Sequence, residues 1–166
     1  QSYRSTQINT KMIYNVITER QSCRHISKMQ NMWRAIVNNP VLDLSIFWLN
    51  NFSKLTDGPS KDIHYLFTNN ALYTRDRISK WDKNTPEYCK FCLDNKLKIK
   101  ETNTHAILEC GRIKSFWEKL NLFFRSYDIV LTKESKIFGF ANKEKNKQTQ
   151  ILNAVLQIAQ KIIWKT

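Results

Sequence analysis

Three cysteines and one histidine follow one another in the spacing Cys89-x2-Cys92-x12-His105-x4-Cys110, and this cluster constrains the fold more than any other feature. A Cys-x2-Cys turn aims two thiolates at one ion. His105 and Cys110 lie about one and a half helical turns apart, so they can converge on the same ion. Three thiolates and one imidazole suit tetrahedral Zn²⁺, and four protein ligands leave no position open for water. The spacing therefore predicts a closed, structural zinc site.

Two other interpretations of these residues carry less weight. If Cys89 and Cys92 were buried thiols and His105 a helix cap, residues 84–109 would lack a means of folding, because the segment has few large apolar residues. A redox Cys-x2-Cys needs a strand-to-helix context, which the preceding Glu87-Tyr88 does not suggest. Cys23 and His25 are two positions apart on a helical segment and do not face each other, so we expect both to be structural.

The rest of the chain favours helices. Only 3 Gly and 3 Pro occur, too few for a sheet with many tight turns. Apolar residues recur at helical spacing within residues 7–37, 44–55, 63–72, 75–81, 113–124 and 150–164. Residues 129–131 and 137–140 are predicted as short strands or extended connectors. The last helix is predicted to bury Ile151, Leu152, Val155, Leu156, Ala159, Ile162 and Ile163. We also expect most of the five tryptophans to lie in the core.

These patterns predict a mainly α fold: a helical domain with an inserted CCHC zinc-knuckle loop. We expect roughly five to seven helices, with the loop between the fifth and the sixth. Three regions are predicted: a helical region at 1–83, the zinc-binding module at 84–117, and a carboxyl-terminal helical region at 118–166 that packs on the first. The periodic helix continues to Thr166, so we expect the chain to be a piece of a longer protein.

The charge of the chain predicts a polyanionic partner. Lys and Arg total 27 against 14 Asp and Glu, which gives a net charge of +13. Nucleic acid is the leading candidate, ahead of an acidic membrane surface or an acidic protein; no apolar run is long enough to span a membrane. The predicted nucleic-acid contacts lie in and beside the zinc loop: Arg75, Arg77, Lys80, Lys90, Lys96, Lys98, Lys100, Arg112 and Lys114. Tyr73, Tyr88 and Phe91 are candidates for stacking on bases, although Tyr88 and Phe91 could instead shield the sulfurs.

Phrases around the cysteines resemble a known family. They are Ala71-Leu72-Tyr73-Thr74-Arg75-Asp76-Arg77-Ile78, then Trp81, Cys89-x2-Cys92, Glu101-Thr102-x2-His105-x4-Cys110 and Trp117. In this order they are similar to the zinc-binding region that follows the reverse transcriptase in LINE-type, non-LTR retrotransposons. The helix from Ile151 to Lys165 also resembles a downstream helix of those proteins. The resemblance covers about residues 61–166, whereas residues 1–60 match nothing that we would name.

The resemblance implies the carboxyl-terminal part of a retrotransposon polyprotein whose upstream reverse transcriptase, an RNA-directed DNA polymerase, lies in the same parent chain. It implies that this region grips template RNA or target DNA during target-primed reverse transcription, in the nucleus and with a cytoplasmic ribonucleoprotein stage. Only Cys89, Cys92, His105 and Cys110 carry over from the family, as zinc ligands. The interval between the second Cys and the His is longer than in a nucleocapsid knuckle, so the same mode of base recognition does not follow.

No catalytic set accompanies the cysteines. The sequence has no Tyr-x-Asp-Asp phrase, no phosphate-binding glycine loop and no paired carboxylates that suggest a general acid and base. We therefore predict that this segment is not an enzyme. The alternative to nucleic-acid binding is a zinc-stabilised interaction scaffold that docks an acidic partner.

Overall fold

The structure, a computed structural model, describes residues 27–47, 55–141 and 146–166. Contacts divide the chain into two units, Gln1–Asp43 and Leu44–Thr166. In the first unit, residues 27–37 are helical (α1) and Trp33 is fully buried. The helix ends at residue 37, and the next residue, Asn38, takes a left-handed φ of 56°. Gln30 and Arg34 then donate to the Leu42 carbonyl at 2.8 and 3.0 Å, which folds the following chain back on α1.

The second unit is built from helices and short helical turns. Its elements are α2 (Gly58–Thr68), α3 (Arg75–Ile78), α4 (Lys90–Asp94), a π-helical turn (His105–Glu109), a 3-10 turn (Gly111–Ile113), α5 (Lys114–Arg125), α6 (Lys133–Phe138) and α7 (Lys147–Lys165). Among the described residues the only extended pairing is one isolated bridge between Tyr88 and Lys100. The predicted mainly α fold is confirmed. The division at residues 83 and 117 stays a prediction.

The most extensive contact between helices in this unit is that of α2 with α7, and α6 packs beside them. Asp57 caps α2 by accepting the Ser60 amide at 3.3 Å, and Pro59 suits the first turn because it has no N–H to satisfy. Asp57-Gly58-Pro59 therefore begins α2. The helix stops at Thr68, so Ala71 and Leu72, which were predicted to belong to it, lie beyond its end. The predicted helix at 44–55 falls partly outside the described residues; within them, 44–47 form a 3-10 turn.

Residues 137–140 were expected to be extended, and for Ile137 and Phe138 this prediction is wrong. Both lie in α6, which begins with a capping box in which Thr132 and Ser135 bond each other's backbone amides. The helix ends at Gly139, whose φ of 81° favours glycine. The capping box favours a helix over an extended chain here, because it satisfies backbone amides at the start of a helix of only 6 residues.

The buried face of α7 also differs from the prediction. Ile151 and Ile162 are 48% and 46% exposed, whereas Asn153, Gln157 and Gln160 are buried. Each of these side-chain amides has a hydrogen-bond partner: Asn153 pairs with both backbone groups of Phe140, Gln157 accepts from Thr56, and Gln160 bonds His64. Hydrophobic periodicity missed this face because its specificity comes from hydrogen bonds rather than from apolar side chains.

The tryptophans divide between core and surface. Trp33 and Trp117 are buried and Trp164 is partly buried, but Trp81 is 59% exposed. The expectation of a core position is therefore wrong for Trp81, which follows the short helix α3. Trp48 lies outside the described residues.

Candidate metal centre

The first two candidate ligands lie at the tip of a hairpin. The Cys89 amide donates to the Ile99 carbonyl at 2.9 Å, and the Glu101 amide donates to the Glu87 carbonyl at 3.0 Å. The helix α4 occupies the tip between these two chain segments. Cys89 precedes its first residue and Cys92 lies on its first turn. The short helix therefore turns both thiols toward the same side of the loop.

The chain leaves α4 through a Schellman motif. The Leu97 amide donates to the Cys92 carbonyl at 2.8 Å, and the Lys96 amide donates to the Leu93 carbonyl at 2.9 Å. Lys96 takes the left-handed conformation of this motif, with a φ of 62°. The motif fixes the backbone of Cys92 and directs the chain back toward Ile99.

The other two candidate ligands are joined by the π-helical turn. Thr102 accepts the His105 amide at 3.2 Å, and the Cys110 amide donates to the His105 carbonyl at 2.8 Å. In an α-helix five residues are about 500°, so the two side chains would point roughly 140° apart. The wider turn and the extended backbone of Cys110 bring them to the same place.

All four predicted ligands meet at one point. The Cys89 and Cys110 sulfurs are 3.8 Å apart, the Cys92 and Cys110 sulfurs 4.0 Å, and Cys92 Sγ lies 3.4 Å from His105 Nε2. The four donor atoms lie within 4.8 Å of one another and all four residues are buried. A disulfide would need sulfurs about 2.05 Å apart, and the three cysteines are free thiols. The cluster is close enough to bind one metal ion.

Burial also sets the protonation of these donors. It raises the pKa of Cys92 to about 12 and raises the pKa of Cys110, where the backbone N–H of Arg112 acts in the opposite direction by favouring the thiolate. Burial lowers the pKa of His105. These shifts favour uncharged thiols and a neutral imidazole. A metal ion binds thiolate and neutral imidazole, so binding would displace the thiol protons.

The second half of the loop is attached to the helical body. Ala106 and Ile107 are buried, and the π-helical turn packs against α7. Trp117 on α5 donates its indole N–H to the Ile107 carbonyl at 2.7 Å. The expectation that the loop lacks a core thus applies to the hairpin around α4, whose Leu93, Leu97 and Ile99 are exposed, and not to the π-helical turn.

The nine predicted nucleic-acid residues fall into two groups. Four are engaged inside the molecule: Arg75 approaches Glu101 at 4.0 Å, Lys80 pairs with Asp76, Lys100 pairs with Glu87 at 2.7 Å, and Arg77 donates to the Asn70 carbonyl. The other five are exposed and form no ion pair among the described residues; they are Lys90, Lys96, Lys98, Arg112 and Lys114. Glu101 and Glu87, which pair with Arg75 and Lys100, are distant in sequence, so spacing could not identify these two pairs. The pair of Lys80 with Asp76 spans only four positions, so spacing could have identified it.

Aromatic side chains surround the cluster at different depths. Tyr73 is 64% exposed and Tyr88 is partly buried. Phe91 is partly exposed, and its ring would touch a Cβ added at Gly111 at 3.6 Å, so it lies against the backbone beside Cys110. Trp81 adds an exposed ring.

No family model matches the chain, and the chain matches none of the curated proteins or solved structures. None of the described helices is long and apolar enough to cross a membrane. The resemblance to non-LTR retrotransposon proteins stays a prediction.

Proposed function

We propose that Cys89, Cys92, His105 and Cys110 hold a structural Zn²⁺ and that the loop organised by this ion binds nucleic acid without catalysing a reaction. The observation that carries the proposal is the placement of five unpaired cations around a buried four-donor cluster. Zinc supplies the loop with a fixed geometry, and the protein supplies the contacts.

The donor separations support zinc. Zn–S bonds of about 2.3 Å and a Zn–N bond of about 2.0–2.1 Å in a tetrahedron give S–S edges of about 3.8 Å and S–N edges of about 3.6 Å. Three of the donor separations, 3.8, 4.0 and 3.4 Å, lie close to these values. Three thiolates disfavour hard cations such as Mg²⁺ and Ca²⁺. A site with four protein ligands has no open position, so it does not activate water.

The distribution of charge supports nucleic acid as the partner. Lys90 begins α4, Lys96 and Lys98 follow it, and Arg112 and Lys114 come directly after Cys110. Because the metal holds both halves of the loop together, these charges would be concentrated on one module, where they raise the local positive potential. The exposed rings of Tyr73 and Trp81 provide surfaces on which bases can stack.

The sequence resemblance suggests where such a module belongs. We propose that the chain is the carboxyl-terminal part of a non-LTR retrotransposon reverse transcriptase polyprotein, bound to template RNA or target DNA during target-primed reverse transcription. The reverse transcriptase of the parent chain would be its covalent neighbour, in the nucleus after a cytoplasmic ribonucleoprotein stage.

A protein-interaction scaffold is the second candidate. The observation in its favour is that Leu97 and Ile99 on the hairpin are 53% and 40% exposed. Exposed aliphatic side chains suit a protein surface better than they suit a nucleobase. Such a scaffold would dock an acidic partner through the same five cations.

Two double variants with the same change in charge test the nucleic-acid proposal. Lys96→Ala with Lys98→Ala removes two unpaired cations, whereas Lys80→Ala with Lys100→Ala removes two that are already ion-paired. Binding of zinc-loaded protein to single-stranded RNA and DNA is measured over a salt series. The first variant should lose about 1.4 from the slope of log K against log salt, since each contact on a single strand contributes about 0.7. The control should lose clearly less.

If both variants retain the affinity and slope of the unmodified protein, the loop is not the contact surface. If the unmodified protein binds acidic polypeptides but neither RNA nor DNA, the scaffold takes its place.

A further inference from the structure

A cavity of about 330 Å³ lies directly beside the metal cluster. Its wall includes Cys110 and Gly111 from the loop, Lys114, Trp117 and Asn121 from α5, and Lys136 from α6. This volume is at the lower end of the range for small-molecule pockets, about 300–1,000 Å³, and far above that of a single water. None of the sequence features predicted this cavity, because its walls come from three separate elements.

Lys136 is the unusual residue of the cavity wall. It is partly buried, its Nζ lies 5.3 Å from the centre of the Trp117 ring, and it forms no ion pair among the described residues. Burial also lowers the pKa of Lys136, because the charged form loses water. The face of the Trp117 ring compensates this loss of water in part, but no described residue supplies the opposite charge that would complete it. An anion in the cavity would supply it.

The backbone around Lys136 is held firmly. Its carbonyl accepts the Gln160 amide at 2.7 Å, and the next residue, Ile137, is fully buried and accepts from the same amide. Trp117 is held by its hydrogen bond to Ile107. The ammonium group is therefore presented from a fixed position on α6, opposite a helix that is itself tied to the metal loop.

The remaining charges of the wall favour an anion of low charge. Lys114 is exposed and unpaired, whereas Glu109 is neutralised by Lys133 at 3.1 Å. Glu118 is the one other carboxylate that lines the cavity. Two lysines against one unpaired carboxylate leave a net charge of +1, which matches a single phosphate group better than a polyphosphate.

We propose that this cavity binds one phosphate group of a nucleotide between Lys114 and Lys136, with the attached nucleoside in the remaining volume. This site rests on the proposed nucleic-acid binding and adds a defined phosphate position to it. The phosphate belongs either to the interior of a strand or to its 5′ end, and the two sources share the same chemistry.

The test uses the zinc-loaded 166-residue chain and strands of poly-U and poly-dT about 12 nucleotides long, each with and without a 5′-phosphate. Lys136→Met keeps the aliphatic stem over Trp117 and removes the charge, and Lys136→Arg restores a cation. Lys119→Met is the matched control, because Lys119 is an exposed lysine of α5 that does not line the cavity. Affinity and salt slope are measured by fluorescence anisotropy.

We expect Lys136→Met to weaken binding about tenfold, as for a hydrogen bond to a charged group, and to reduce the salt slope by about 0.7. Lys136→Arg should stay near the unmodified protein, and Lys119→Met should change binding less than twofold. A loss confined to 5′-phosphorylated strands assigns the site to a terminal phosphate, and an equal loss on both assigns it to an internal one. Independently of any variant, titration of the unmodified protein with adenosine monophosphate should shift the Trp117 indole N–H resonance.

The inference is overturned if Lys136→Met binds like the unmodified protein or if Lys119→Met loses as much affinity. In the first case the nucleic-acid proposal itself survives, because the unmodified protein still binds. If the unmodified protein binds no strand and adenosine monophosphate leaves the Trp117 resonance unmoved, both proposals fail.

Discussion

The candidate metal loop (residues 84–117) and the helical body keep their shapes through different interactions. The hairpin around α4 exposes Leu93, Leu97 and Ile99, so its shape depends on the donors that converge from Cys89 to Cys110. The body, formed by α2, α6 and α7, buries Phe67, Ile137 and Ile163. It is then aligned by buried amides, since Gln160 alone joins His64 on α2 to two carbonyls of α6. On our proposal the loop depends on one metal ion, whereas the body depends on many neighbouring side chains.

This difference predicts how the structure of each region responds to a substitution. On our proposal, removal of one ligand weakens the interaction that joins Cys89 and Cys92 of the hairpin to His105 and Cys110. Removal of one hydrogen-bonding group in the body leaves the apolar contacts in place and lowers the free energy of unfolding of the whole body. Two substitutions and a change of pH distinguish the response of the loop from that of the body, and they follow from the largest expected effect to the smallest.

The largest effect is expected from Cys110→Ser. Structural zinc sites supply about 10 kcal/mol or more of apparent binding energy, and the substitution removes one of four ligands. We expect residues 84–117 to lose protection from hydrogen exchange while α2 and α7 keep theirs, apart from the face of α7 that packs on the π-helical turn. Cys23→Ser is the matched control, because the sequence places Cys23 outside the ligand set; its structure lies outside the described residues. Unchanged protection in the loop of Cys110→Ser would contradict metal-dependent folding.

The second effect is expected from Gln160→Met in the body. The change preserves a long side chain but leaves His64 and the carbonyls of Lys136 and Ile137 without their buried partner. Each unsatisfied group costs roughly 1–3 kcal/mol, so we expect the free energy of unfolding to fall by about 3–5 kcal/mol in urea, with zinc content unchanged. The exposed Gln148→Met on the same helix should cost less than about 0.5 kcal/mol. If Gln160→Met resembled this control, the amide network would not align the helices.

The third effect concerns pH and His64. Burial lowers the pKa of His64 to about 4 from an ordinary value of 6.5, although its hydrogen bond to Gln160 acts in the opposite direction. Between these values the unfolded chain binds the proton and the folded chain does not. Stability therefore falls as the pH decreases from 6.5 to 4, by about 3 kcal/mol. The carboxyl of Asp57, whose pKa is lowered from 3.8 to about 2 chiefly by Lys161, titrates below this window.

His64→Gln isolates this contribution because both proteins contain the same metal loop. The difference in unfolding free energy between them should shrink as the pH decreases through the window. A difference that stays constant from pH 6.5 to 4 would show that His64 is not a buried neutral group.

The two regions also differ in how far the sequence predicts them. The ligands Cys89, Cys92, His105 and Cys110 are found by spacing alone, because a metal site needs rare residue types at short intervals. The mainly α fold follows from periodicity. The buried face of α7 does not, because Asn153, Gln157 and Gln160 are ordinary polar residues until their partners on other elements are known. The ion pair of Lys100 with Glu87 and the cavity beside Lys136 depend on tertiary placement in the same way.

Zinc X-ray absorption on the purified protein tests the central claim most directly. We predict one zinc per chain, with a first shell of three sulfurs at about 2.3 Å and one nitrogen at about 2.0–2.1 Å. Cys110→Ser should lose one sulfur from this shell or lose the metal. Protein without stoichiometric zinc, or a shell that contains water oxygen in the unmodified protein, would contradict a closed structural site formed by these four residues.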